Sequence, residues 1–77
     1  MSPENKTQLK AFGLRVRKFR EAMHWSQDQL AEQANLHRTY ISGLERGERN
    51  VSVINVLRLA RALKTTPGKL LDNIGSK

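Results

Sequence analysis

The sequence predicts an all-α fold, a single domain of five short helices, and three observations lead to this prediction. Apolar residues recur at helical spacing, and no alternating strand pattern is present. In the first segment this spacing is shown by Phe12, Val16, Phe19 and Met23. The chain has 77 residues, which suits one small domain, whose single core rarely supplies more than about 3–5 kcal/mol of stability.

Helix 1 is predicted over residues 7–23, with its apolar arc facing the core. It follows residues 1–6, which are polar, contain a proline and are expected to be a flexible end. Residues 75–77 are expected to be flexible as well, so the domain itself covers residues 7–74. The basic side chains of helix 1 away from the arc are interpreted as a solvated face, and they are Arg15, Arg17 and Lys18.

Residues 25–47 predict two short helices joined by a tight turn. Ser26 is placed to cap helix 2, which is predicted over residues 27–34, and Gln29 completes a capping box with it. Asn35 follows, and asparagine tolerates the left-handed conformation that ends a helix sharply. Helix 2 is therefore expected to turn directly into the next helix.

Helix 3 is predicted over residues 38–46 and is followed by Gly47, which ends it. Ile41 and Leu44 define its inner face, which leaves hydrogen-bond donors and small groups outside. The outer face consists of Arg38, Thr39, Ser42, Gly43 and Arg46, with Tyr40 on its flank. A glycine inside a helix costs about 1 kcal/mol relative to alanine, so Gly43 indicates that something approaches the backbone there.

Helices 4 and 5 are predicted to close the core, and Ser52 is the expected N-cap of helix 4. Its predicted core positions are Val53, Val56, Leu57, Ala60 and Leu63. Thr66 and Pro67 begin a short helix 5, which carries more apolar groups than closing a core requires. Some of these are predicted to form a dimer interface, which consists of Leu70, Leu71, Ile74 and, from helix 4, Ile54.

Composition limits the classes of partner. The formal net charge is +7, from 14 basic and 7 acidic residues, which favours a polyanion such as nucleic acid. Membrane binding is not expected. An interfacial helix carries a broad apolar face with aromatic anchors, whereas most of the four aromatic residues of this chain fall at predicted core positions. The absence of cysteine suits a reducing compartment, and no stretch approaches the roughly 20 apolar residues of a membrane span. A cytoplasmic protein is expected.

Nothing in the sequence indicates an enzyme or a cofactor. The chain offers no nucleophile–base pair, no glycine-rich phosphate loop and no paired carboxylates in an apolar setting. His24 and His37 lack the cysteine or carboxylate partners that would complete a metal coordination shell. We therefore expect no catalytic residues, no metal, no cofactor and no small-molecule ligand.

Many residue types fall at the spacing of a known family. They are Phe19-Arg20, Ser26-Gln27, Leu30-Ala31, Leu36, Tyr40-Ile41, Glu45, Gly47, Leu57, Ala60 and Leu63. Together they resemble the Cro and phage-repressor type of helix-turn-helix domain over residues 9–74. Residues 38–43 followed by Arg49-Asn50 resemble most the controller proteins of restriction-modification systems, which are small dimeric regulators. The resemblance implies a compact lambda-repressor-like domain with its helix-turn-helix at helices 2 and 3.

The resemblance also implies that helix 3 is the recognition helix and lies in the DNA major groove. Arg38 suits guanine O6 and N7 and Thr39 suits a base edge or a thymine methyl, so both are predicted base contacts. Contacts to the DNA backbone are predicted for Gln27, Tyr40, Ser42, Arg46, Arg49, Asn50 and Arg20. A salt bridge between Arg20 and Glu45 is expected, as in the family. At His37 the chain departs from the family, which usually has Ser, Thr or Asp as the cap of helix 3.

These expectations describe a homodimer that binds a palindromic operator in double-stranded DNA and regulates transcription, with RNA polymerase as a further candidate partner. The half-site centres would lie about 34 Å apart. Two alternatives remain open: a phage or plasmid repressor of the same fold, and an antitoxin-like module that holds another protein. Nonspecific binding of RNA or single strands is disfavoured, because exposed aromatic platforms for stacking bases are lacking.

Overall fold

The computed structural model describes residues 3–75, with side chains from residue 5 onward. This part of the chain contains five α-helices and no strand. The helices are α1 (Pro3–Ala22), α2 (Gln27–Ala34), α3 (Arg38–Glu45), α4 (Val53–Ala62) and α5 (Pro67–Leu71). The predicted all-α fold of five helices is confirmed. The bounds of α2 match the prediction, and α3 ends one residue before its predicted end.

The N-terminal boundary differs from the prediction. The helix α1 begins at Pro3 rather than at Thr7. The N–H groups in the first turn of a helix have no intrahelical partner, so a proline there loses no hydrogen bond. Most of the segment predicted as a flexible end, residues 1–6, is therefore helical. Residues 1–2 and 76–77 lie outside the described residues, so the flexibility expected at both ends stays a prediction.

The core lies where α1 packs on α3 and α5, and α2 packs on α3 and α4. Its largest fully buried side chains are Val16, Leu30, Ile41, Leu44, Leu59 and Leu70. The predicted core positions Phe12 and Val16 of α1, and Ile41 and Leu44 of α3, are confirmed. Trp25 packs against this core from the start of α2.

The buried face of α4 differs from the prediction. Its buried positions are Val56, Leu59, Ala60 and Ala62, and they are joined by Leu63 just after the helix. Two predicted core residues, Val53 and Leu57, are 74% and 48% exposed. The physical reason is that apolar residues lie around most of this helix, so their spacing alone does not select the face that meets α2 and α5.

The short helix α5 corrects one residue of the predicted dimer interface. Leu70 is 0% exposed within the single chain, so it belongs to the core and has no surface left for a second subunit. Ile74 packs partly against the core. Leu71 and Ile54 remain exposed, and their place in an interface stays a prediction.

Glycines allow α3 to end directly on α1. A Cβ on Gly13 would lie 2.3 Å from the carbonyl oxygen of Leu44, so only glycine permits this crossing. Gly47 has a φ of 76° and lies so close to Lys10 that a Cβ would come within 2.8 Å of its Cα. The predicted end of helix 3 at Gly47 is confirmed, whereas the role of Gly13 was not predicted.

Candidate nucleic-acid interface

The unit formed by α2, the turn and α3 is built as the sequence predicts. Ser26 Oγ accepts a hydrogen bond from the Gln29 N–H at 3.1 Å, and Gln29 Oε1 accepts one from the Ser26 N–H at 2.7 Å. Asn35 has left-handed φ and ψ values of 56° and 47°. The next N–H, that of Leu36, donates to the Ala31 carbonyl at 2.9 Å. This turn directs α3 away from α2 and leaves its first turn at the surface.

A buried ion pair anchors the end of α3 to α1. Arg20 Nε donates to Glu45 Oε2 at 2.7 Å and Nη2 donates to Oε1 at 3.0 Å, so the expected salt bridge is confirmed. A third bond runs from Arg20 Nη1 to the Trp25 carbonyl at 2.7 Å. The hydrogen bond to Glu45 raises the pKa of Arg20 despite its burial. The pair therefore fixes the position of α3 relative to the start of α2.

This burial corrects the predicted phosphate contact of Arg20. The residue is 9% exposed, and its guanidinium donates inward to Glu45 and Trp25. It therefore holds α3 against α1 and leaves little of its own surface for a phosphate.

Gln27 has a structural bond that the sequence did not indicate. Its Nε2 donates to Glu45 Oε1 at 3.1 Å, so α2 also contacts the buried ion pair. This polar network joins α1, α2 and α3. A phosphate contact by Gln27 stays a prediction. To make it, the Gln27 side chain has to contact the phosphate while its amide is directed toward Glu45.

The first turn of α3 carries the two predicted base contacts. Arg38 and Thr39 are both exposed, as a contact with base edges requires. His37 has the extended backbone of an N-cap, with a φ of −72°, but its side chain makes no capping hydrogen bond. Arg38 Nε lies 3.4 Å from Oδ1 of Asp28 on α2. Asp28 was not identified from the sequence, because the pairing depends on how α2 and α3 pack.

The outer side of α3 is organised by the loop that follows it. The Tyr40 hydroxyl donates to the Asn50 carbonyl at 3.2 Å, which ties the loop to the helix. Gly43 is buried rather than exposed, because the side chain of Arg49 lies over it. A Cβ on Gly43 would be 3.0 Å from Arg49 Cγ, so the predicted close approach to this glycine is made by Arg49.

Arg46 is held between two side chains near the end of α3. Its Nη1 donates to Ser42 Oγ, and its Nη2 lies 3.0 Å from Glu48 Oε1. The hydrogen bond from Arg46 lowers the pKa of Glu48, so this carboxylate is charged near neutral pH. Ser42 and Glu48 thus both hold the guanidinium of the exposed Arg46.

A basic groove lies next to Arg46. It joins the N-terminal part of α1 to the turn after α3, and it is lined by Lys6, Thr7, Lys10, Arg46, Gly47 and Glu48. Lys6 and Lys10 were not predicted as site residues, because the crossing at Gly47 that brings Lys10 to α3 cannot be read from helical periodicity. They extend the positive charge of the α3 surface onto α1.

Two further observations concern the described residues alone. Among residues 3–75, whose side chains are described from residue 5 onward, no group of three or more His, Cys, Asp or Glu is arranged to hold a metal ion. Over the same range, no helix combines the length and apolar character needed to cross a membrane.

A capped helix, a sharp left-handed turn and a second helix with an exposed first turn define the helix-turn-helix class of DNA-binding proteins. A family model described as helix-turn-helix matches residues 16–70. The chain is 50% identical to the control protein C.SmaI of Serratia marcescens over 62 residues, which cover 80% of this chain and 74% of that one.

Solved structures agree with this class. The restriction-modification controller protein C.AhdI from Aeromonas hydrophila has 48% identity and a TM-score of 0.79, with 80% of this chain and 94% of that chain covered. The biofilm regulator SinR in complex with DNA has 29% identity and a TM-score of 0.76, over 79% and 98% of the two chains. The chain belongs to the helix-turn-helix family and, within it, to the restriction-modification controller proteins, so the predicted resemblance is confirmed.

Proposed function

We propose that this DNA-binding regulator acts as a homodimer on a palindromic operator and controls the transcription of restriction-modification genes. The observation that carries this proposal is the exposed first turn of α3, with Arg38 and Thr39 at the surface, on a helix fixed by the buried Arg20–Glu45 pair. A helix presented in this way enters the major groove with its N-terminal residues on base edges. The related SinR is described in complex with DNA, which supports the choice of partner.

Arg38 and Thr39 are proposed to supply the sequence preference. The guanidinium of Arg38 matches the two acceptors of guanine, and the Thr39 hydroxyl and methyl suit a base edge or thymine. No further side chain of α3 is needed to contact a base in this proposal. The next outward positions, Ser42 and Arg46, lie toward the C-terminal end of α3, beside the loop that follows it.

Phosphate contacts are proposed for the side chains around this first turn. The predicted set that remains consists of Gln27, Tyr40, Ser42, Arg46, Arg49 and Asn50. Lys6 and Lys10 join it, because they line the same groove as Arg46. Such contacts position the protein on DNA without reading its sequence. They also give the net charge of +7 a role, which is to neutralise phosphates.

A second copy of the chain is proposed to pack on exposed apolar residues of α4 and α5. Ile54 and Leu71 are 59% and 46% exposed, and exposed apolar groups of this size favour burial in an interface. Two recognition helices in successive major grooves require half-site centres about 34 Å apart. Such a regulator acts in the cytoplasm at promoters, where RNA polymerase is its proposed further partner.

The test begins with the wild-type chain and a library of random DNA duplexes. Selection should enrich a palindromic sequence, and Arg38→Ala should then weaken binding to it by about 1–3 kcal/mol while relaxing one base pair per half-site. Binding to a random duplex should change far less. Fluorescence anisotropy on both duplexes measures the difference, with Arg17→Ala as a matched control on another exposed arginine.

Two results would count against the proposal. If the wild-type chain enriches no sequence, operator binding fails, and a module that holds another protein becomes the better explanation. If Arg38→Ala weakens the selected and random duplexes equally, Arg38 contacts phosphate rather than a base.

A further inference from the structure

Asp28 places a carboxylate beside the side chain that is proposed to read DNA. Its Oδ1 lies 3.4 Å from Arg38 Nε, and both side chains are largely exposed, by 75% and 64%. Asp28 lies in the first turn of α2, where a carboxylate suits the helix dipole, but it does not make the cap, since Ser26 and Gln29 exchange those hydrogen bonds. A negative charge at this position opposes the approach of phosphates, so general affinity for DNA does not explain it.

The geometry points to Asp28 as a positioning residue for base recognition, which directs the Arg38 guanidinium toward guanine and withholds it from phosphate. This inference rests on the proposed function. Because Asp28 faces Nε of Arg38, the two Nη groups at the end of the guanidinium remain for guanine O6 and N7. The carboxylate therefore holds the Nε edge of the Arg38 guanidinium and leaves the edge with the two Nη groups to the base.

The weakness of this pair in the free protein suits such a role. Water screens an exposed pair, so Arg38 retains the freedom to adjust to a base. When DNA excludes water, the attraction between the two charges increases. A phosphate that binds the same guanidinium is repelled by the neighbouring carboxylate of Asp28, whereas a guanine edge is neutral and binds the Nη groups without that repulsion.

The experiment compares Asp28→Asn with Glu32→Gln in the full chain. Glu32 is exposed on the same helix, one turn further on, so both variants remove one negative charge from α2. Each is titrated with the duplex that the wild-type chain selects, with the same duplex carrying A·T at the Arg38-dependent G·C pair, and with a random duplex. The measurements are repeated in the Arg38→Ala background.

We expect Asp28→Asn to lower discrimination at that base pair by about fivefold, a part of the roughly 5- to 150-fold that a bidentate contact supplies. On random DNA its affinity should rise and its salt dependence should steepen by about 0.9, as for one added phosphate contact. Glu32→Gln should leave discrimination unchanged. In the Arg38→Ala background, Asp28→Asn should no longer affect discrimination.

The comparison separates this inference from the proposed function. A ratio between two duplexes does not depend on the folded fraction, so a loss of α2 stability alone cannot produce the expected change. If a sequence is selected and Asp28→Asn behaves like Glu32→Gln on all three duplexes, the role of Asp28 is overturned while operator binding stands. If no sequence is selected, the proposed function and this inference fall together.

Discussion

At the scale of residues, Arg20 and Glu45 bring opposite charges into the interior of a chain of 77 residues. Their hydrogen bonds, together with those to Gln27 and Trp25, satisfy this buried pair. Within the described residues that carry side chains, no buried side-chain nitrogen or oxygen lacks a hydrogen-bond partner. Removing one partner leaves the other charge buried alone, which costs far more than the intact pair contributes.

Arg20→Met should therefore lower the free energy of unfolding by about 3–5 kcal/mol, which approaches the whole stability expected of so small a core. The measurement is urea unfolding followed by circular dichroism. Arg17→Met is the matched control on the same helix, because Arg17 pairs with Glu21 at the surface and such i,i+4 pairs contribute about 0.3–0.5 kcal/mol. Equal losses for the two variants would contradict a structural role for the buried pair.

Residue roles were predictable from the sequence where they depend on near neighbours. Ser26 and Asn35 act within three or four positions along the chain, so local chemistry identified them. Asp28 and Gln27 act through partners on α3. Their roles depend on the packing of two helices, which the order of residue types does not specify.

At the scale of elements, the contact of α1 with α3 depends on the missing side chain of Gly13. The carbonyl oxygens of Leu44 and Glu45 would lie 2.3 and 2.7 Å from a Cβ there. These are backbone atoms, so they cannot move aside as a flexible side chain would. The close approach of α3 to α1 therefore requires glycine at position 13.

Gly13→Ala should lower the free energy of unfolding by about 1–3 kcal/mol through overpacking, although alanine favours a helix over glycine by about 1 kcal/mol. Thermal and urea unfolding measure this change. Gly68→Ala is the control, because the nearest atom to its added Cβ is Thr66 Oγ1 at 3.8 Å. A Gly13→Ala chain as stable as wild type would show that α1 and α3 are free to separate.

The elements themselves were largely predictable, and the orientation of α4 was not. Apolar spacing identified the helices because it repeats over several turns. On α4, Leu57 and Leu59 both fit an apolar arc, and only the positions of α2 and α5 select Leu59 for the core. The exposed side of α4 consequently carries Val53, Ile54 and Leu57.

At the scale of the whole molecule, the exposed apolar side of α4 and Leu71 of α5 lie outside the helix-turn-helix unit. A small domain gains stability when such surface is buried by a second copy. From the sequence, Ile54 and Leu71 were predicted for this surface. Val53 and Leu57 were instead predicted for the core, and Leu70, which the core encloses, was predicted for the surface. The excess of apolar residues was evident from composition, whereas its division between core and surface depends on the tertiary fold.

Ile54→Asp should shift the monomer–dimer equilibrium toward monomer by tenfold or more, about 1.4 kcal/mol, because it places a charge within the proposed interface. Sedimentation equilibrium over a range of concentrations measures the change. Leu14→Asp is the matched control, since Leu14 of α1 is 58% exposed and Ile54 is 59% exposed. If both variants associate as wild type does, the dimer forms through another face.

The Arg20–Glu45 pair also fixes the rotation of α3 about its own axis. Turning that helix by one residue, about 100°, would carry Glu45 away from Arg20 and leave two buried charges unmatched. The direction in which positions 38 and 39 project is therefore independent of the side chains that occupy them. Under the proposed function, a change of operator preference therefore requires new side chains at those two positions and no change in how the domain folds.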